Sequence, residues 1–202
     1  GGTTPALDNV SVQQRDGTAG APADVSSPPR GPLTLANGDF SDLTGLSSTR
    51  GEGWYDGVPK GWRAALNDPC YAVKVTGTAE PPTCNVAQLG HLLQEVGTLA
   101  DPSDVVLRFD VPDTWMSGAF LSAALLDANG STLAASTFPP QRGHALVAPD
   151  VPAGTTVFVR LAALESTPGV QNISLTSLPA GAWAARRRTA AADSAEHAPL
   201  QD

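Results

Sequence analysis

The run Val105-Val-Leu-Arg-Phe-Asp-Val111 most narrows the folds open to this chain. Val105, Leu107, Phe109 and Val111 alternate with Val106, Arg108 and Asp110, and Pro112 follows. A period of two belongs to a strand with one buried face. Proline ends such a strand because it has no N–H for the ladder. The same pattern recurs in Leu33 and Leu35, in Tyr71, Val73 and Val75, in Leu92, Gln94 and Val96, and in Val157, Val159 and Leu161. Phe120 to Leu126 is apolar on both faces, as a central strand is. Asp127-Ala-Asn-Gly130 turns it back into Leu133 to Phe138. Val170 to Leu178 reads as the last strand. Residues 80–85 read as a Pro-rich turn, and Pro139-Pro140 and Pro152-Ala-Gly154 as breaks. A helix over residues 86–96 competes with the strand there, and Gly90 weakens it. The expectation is an all-β chain of about eight or nine antiparallel strands, forming a two-sheet jelly-roll sandwich.

Composition divides the chain. Residues 1–14 hold one short strand, with Leu7, Val10 and Val12 as its apolar positions. Residues 15–32 form a Pro/Gly-rich linker, residues 33–178 the sandwich, and residues 179–202 an Ala/Arg-rich tail. The tail reads either as a helix anchored by Trp183 or as disordered. A strand cut off by a linker is not stable alone. Asp8-Asn-Val-Ser-Val12 echoes Gln171-Asn-Ile-Ser-Leu175. Residues 1–14 therefore read as the last strand of a preceding module or as a donated strand. Both terminal segments are expected to contact neighbouring modules or subunits.

A net charge of -8 excludes nucleic acid and anionic membranes as expected partners. No apolar run is long enough to span a bilayer. Cys70 and Cys84 are either two unpaired thiols or a disulfide. The bridge would contribute about 3 kcal/mol by chain entropy and imply an oxidising, extracellular compartment. Without neighbouring histidines they make no zinc site. There is no GxSxG, HExxH, P-loop or GxGxxG, and His91, His144 and His197 stand apart. The chain is expected not to be an enzyme.

Residues 35–62 hold two of the four Trp and one of the two Tyr, in a stretch rich in Gly and Asp. Large rings on a loop either plug the core or face a ligand. Three features of the chain come together here: Leu35-Ala-Asn-Gly-Asp-Phe40, then Gly61-Trp62, then Val170-Gln-Asn-Ile-Ser-Leu175. They resemble the carbohydrate-binding modules of the galactose-binding-like jelly-roll type, and Leu92-Leu-Gln-Glu-Val96 resembles their middle strand. The resemblance implies that Trp62 and Phe40 are core. It also implies a glycan or polysaccharide as partner and a structural calcium between the opening and closing strands. Two carboxylates of that calcium pattern are missing: Ser41 and Gln171 stand in their places. Asn37, Asp39 and Asp42 remain as ligands for a weak site, and no other cofactor is expected. In the sugar-binding reading, Trp54 and Tyr55 stack on a ring while Asp56 and Arg50 exchange hydrogen bonds with it. Trp115 is a second loop aromatic of the same kind. In the competing reading, Trp54 and Tyr55 fold back over the end of the sandwich. The resulting function is non-catalytic glycan binding within an extracellular or particle-surface assembly. The alternative is a structural spike, fibre or decoration protein of a virion or similar particle, fastened through its terminal segments.

Overall fold

The computed structural model describes residues 32–48, 51–64, 71–76, 80–113, 119–164 and 166–188. The N-terminal strand and the linker up to residue 31 lie outside the described residues. So do Arg50, Cys70, Trp115, His197 and the tail beyond residue 188.

Four short strands come first: β1 (Trp54–Asp56), β2 (Arg63–Ala64), β3 (Ala72–Lys74) and β4 (Thr83–Asn85). Seven longer ones follow: β5 (His91–Thr98), β6 (Ser103–Val111), β7 (Leu121–Leu126), β8 (Thr132–Phe138), β9 (Gln141–Val151), β10 (Thr156–Ala163) and β11 (Gly169–Pro179). A helix, α1, spans residues 182–188. One sheet has the order β1-β3-β4-β11-β6-β9, the other β2-β5-β10-β7-β8. All pairings between these strands are antiparallel. The all-β sandwich expected from the alternating runs is the fold observed.

Alternation makes the core. Val105, Leu107, Phe109 and Val111 of β6 are buried in one cluster with Val157, Val159 and Leu161 of β10. Each such side chain contributes about 1.5–3 kcal/mol relative to an exposed position. Residues 91–96 are strand rather than helix, and Leu92, Gln94 and Val96 are their buried face. Tertiary pairing with β10 decides that choice over local propensity. Four strands were absent from the sequence reading: β1 and β2, in or beside the stretch read as loop, and β4 and β9. β4 follows directly on Pro81-Pro82, and β9 contains Gly143 and Pro149. β9 is an edge strand, where proline and bulges are tolerated.

The opening segment is bolted to β5 without being a regular strand. Leu33 and Leu35 are half-buried and alternate with exposed Thr34 and Ala36. Thr34 N donates to Val96 O at 2.7 Å. The Gln94 amide then substitutes for a backbone partner. Its oxygen accepts from Ala36 N at 2.7 Å and its nitrogen donates to Ala36 O at 3.0 Å. Gly38 O next accepts from Ile173 N of β11 at 2.9 Å, so this segment links both sheets. A methyl group on Gly38 would meet Ile173 O at 2.3 Å, which explains the glycine.

The expected disulfide is corrected. Cys84 is a free, fully buried thiol. It lies on the inward face of β4, within the hydrophobic core cluster. Burial pushes its pKa up, because the thiolate would lose its water.

Candidate functional site: a groove on the outer face of the six-stranded sheet

In β1 the side-chain period of two separates the two rings that were expected to act together. Trp54 pairs with Lys74 and Tyr55 with Val73, which is core. Tyr55 packs against the core as the plug does in the second reading, so its assignment to a sugar platform is corrected. Trp54 points the other way and is half-buried. Lys74 Nζ lies 4.9 Å from its ring centroid and donates to Glu52 O. Asp56 shares Trp54's face but does not line the groove. Its backbone holds the loop through reciprocal bonds with Ser47, at 2.8 and 2.9 Å.

The groove at Trp54 holds about 220 Å³ and is half-open. It runs from β1 across the outer face of the six-stranded sheet to β9. Thr83 and Asn85 of β4 and Gln171 of β11 form its floor, opposite in alternation to buried Cys84 and Val170. Asn85 and Gln171 are 3% and 4% exposed, so their side chains lie deep in that floor. Thr83 Oγ1 donates to Gln171 Oε1 at 2.9 Å. The walls carry Lys74 and Glu80 on one side, and Asp113 and Arg142 on the other. Such a site combines a tryptophan ring, two buried amides and four charged groups. That set suits a hydroxyl-rich ligand.

Trp62 and Phe40 are core, as the resemblance implied, with ring centroids 6.1 Å apart. Arg50 and Trp115, the other expected sugar contacts, lie outside the described residues.

The expected calcium ligands are each engaged in contacts within the turn. Asn37 Oδ1 accepts from Asp42 N at 3.0 Å, and Asp39 Oδ1 from Ser41 N at 3.2 Å. Asp42 accepts from Thr44 N and holds Lys60 Nζ at 2.7 Å. The Lys60 ammonium, with Thr44 behind it, keeps the Asp42 carboxyl far below the usual carboxylate range. Among the described residues no three acidic, His or Cys side chains gather to hold an ion. These residues fit a turn closed by a lysine rather than a calcium cage.

His91 and His144 belong to different sheets. His144 packs beside Phe109 and Phe138 with a ring nitrogen 2.9 Å from Pro139 O, so it forms no pair with His91.

No protein-family model matches the chain, and no curated protein sequence does. Several solved structures resemble it. An arabinose-bound MgGH51 α-L-arabinofuranosidase is 15% identical, with a TM-score of 0.40, over 72% of this chain and 26% of its own. The enzymatically active domain of bacteriophage CBA120 tailspike protein 4 is 15% identical, at 0.42, over 72% and 21%. A CBM4 structure is 12% identical, at 0.37, over 59% of this chain and 96% of its own. The xylan-binding module CBM15 is also 12% identical, at 0.37, over 64% and 99%. The chain thus spans about a quarter of the arabinofuranosidase and about a fifth of the tailspike chain.

Proposed function

We propose that this protein is a non-catalytic glycan-binding module of an extracellular or particle-surface assembly, and that the groove beside Trp54 is its binding site. The observation that carries this reading is the outward face of the six-stranded sheet, where one half-buried tryptophan stands beside two buried amides and four charged side chains. In this reading a sugar ring packs against the Trp54 side chain. Its hydroxyls exchange hydrogen bonds with Asn85, Gln171, Glu80 and Asp113. A groove of about 220 Å³ is below the roughly 300–1,000 Å³ of drug-sized sites. It holds about one ring, and its open side lets a polysaccharide continue past it. One such site binds weakly, and repetition in an assembly raises the affinity. The test is titration of the protein with soluble oligosaccharides, followed by Trp fluorescence and calorimetry, with Trp54→Ala as the control. Binding is expected to weaken about tenfold in that variant. A wild-type protein that binds no glycan would remove the reading, and release of reducing ends would make it an enzyme instead.

A second reading, a structural component of a spike, fibre or similar particle, has its own supporting observation. Edge strands invite pairing with other chains unless they are short, charged, bulged or interrupted by proline. β1 and β2 are short, and β9 carries Arg142, Pro149 and register breaks. β8 runs for seven residues, Thr-Leu-Ala-Ala-Ser-Thr-Phe, with neither charge nor proline. Light scattering across concentration tests this reading. Association lost in Ser136→Lys supports it, and a monomer throughout excludes it.

A further inference from the structure

We infer that Asp110, which lies outside the groove, is the residue that fixes its far wall; this rests on the glycan-binding reading above. Asp110 belongs to β6, between the two strands that supply Arg142 and Gln171. Its carboxylate holds one irregularity in each. Oδ1 accepts from Gly143 N at 2.7 Å, and Oδ2 accepts from Asn172 Nδ2 at 2.8 Å. Both partners have positive φ, 76° and 53°. Both also fall where register slips. The β6–β9 ladder shifts between Phe109 and Val111, and the β11–β6 ladder between Gln171 and Ser174. A bulge re-aims the side chain beside it. Here the residues beside the two bulges are Arg142 and Gln171, and both line the groove. One carboxylate therefore staples two bulges and aims two groove residues, without itself lining the site.

The wall that Asp110 holds brings a guanidinium to the groove. Lys74 and Arg142 face Glu80 and Asp113, two cations against two carboxylates, although the whole chain is at -8. Arg142 makes no ion pair with a carboxylate among the described residues. Its guanidinium therefore remains free to donate to ligand hydroxyls.

The test uses xylohexaose and cellohexaose as neutral probes and hexagalacturonate as the acidic one, with calorimetry on the full chain. Wild type is expected to bind at least one of the three probes. Asp110→Ala should weaken that binding about tenfold. Asp110→Asn should recover part of it, since its amide oxygen still accepts from Gly143 N. Asn172→Gly tolerates the positive φ while cutting only the β11 link, and should fall between wild type and Asp110→Ala. Its intermediate loss, with an unchanged urea midpoint, separates positioning from folding. Asp110→Ala folded and binding as wild type does would overturn the positioning role. A wild type blind to all three probes would fail before any variant is made, and that failure belongs to the glycan-binding reading itself.

Discussion

Replacing Asp104 tests how the C-terminal segment is attached to the sandwich. Asp104 lies at the start of β6 and is 1% exposed. One carboxylate oxygen accepts from Asp150 N at 3.0 Å and Gly181 N at 3.2 Å, the other from Trp183 N at 2.8 Å. Two of these donors open α1, so an aspartate from a distant strand acts as its cap. Arg108 of the same strand lies 5.5 Å from the Trp183 ring centroid. A hydrogen bond to a charged group contributes about 1.5–3 kcal/mol when its donor is left dry on removal. Asp150 is exposed and Gly181 and Trp183 are half-buried, so the freed donors regain water. About 1–1.5 kcal/mol per bond is then the working value. Asp104→Ala should lower global stability in urea by about 1–1.5 kcal/mol, the share of the Asp150 bond that ties β9. The other two bonds should appear locally, as roughly 2–3 kcal/mol less protection of the α1 amides in hydrogen exchange. Asp104→Asn should do nearly as much damage, because one of its atoms becomes a donor facing a donor.

Asp104 also sets a pH dependence. The N–H bonds, that of Asp150 foremost, lower its folded pKa below the unfolded value of about 3.9. A depressed carboxylate contributes fully above the unfolded pKa and loses that contribution as pH falls through the folded one. Protection of α1 should therefore be level above about pH 4 and decline below it, and the decline should be absent in Asp104→Asn. Unchanged α1 protection in Asp104→Ala, or a decline that persists in Asp104→Asn, would refute the capping role.

The remaining predictions concern the opening segment and the core. Gly38→Ala should destabilise the protein by about 3 kcal/mol or more in urea, because its methyl meets the Ile173 carbonyl at 2.3 Å. Gln94→Leu should cost about 2–3 kcal/mol, for two hydrogen bonds that Ala36 can only partly replace with water. Cys84 should resist alkylation in the native protein and react once it is unfolded, by peptide-resolved mass spectrometry, since the thiol is sealed and its pKa raised. Calcium or a chelator should leave the thermal midpoint unchanged, because Lys60 already holds Asp42.

The sandwich was legible because its core has a sequence period. Val105 to Val111 and Val157 to Leu161 carry the alternation that two facing sheets require, and no helix buries such a pattern. β4 and β9 were missed because proline and glycine read as breakers, whereas the sheet admits them beside a turn or at an edge. The groove was barely legible, and for a different reason. Its residues are the outward alternates of strands far apart in the chain. Lys74, Asn85, Arg142 and Gln171 share no local pattern; only pairing between strands gathers them. Trp54 alone gave a signal, as a large ring in a Gly-rich stretch. Tyr55 gave the same signal and points the other way, because adjacent residues of a strand cannot share a face.

That opposition explains how one stretch serves both the body and the surface. Phe40, Tyr55 and Trp62 fix the stretch to the core from within. Gln94 and the Gly38–Ile173 bond hold it to both sheets. The rings that plug the sandwich therefore also immobilise β1, and β1 presents Trp54 to the groove. A ring held this way loses little rotamer freedom when a ligand arrives, since folding has already restricted it. Loosening the plug should for that reason weaken binding at Trp54 even where no groove residue is touched. Tyr55→Leu keeps an apolar contact but gives up the ring, and its binding loss should track the mobility of Trp54, read by fluorescence anisotropy. Equal affinity with a more mobile Trp54 would show that the plug and the groove are independent.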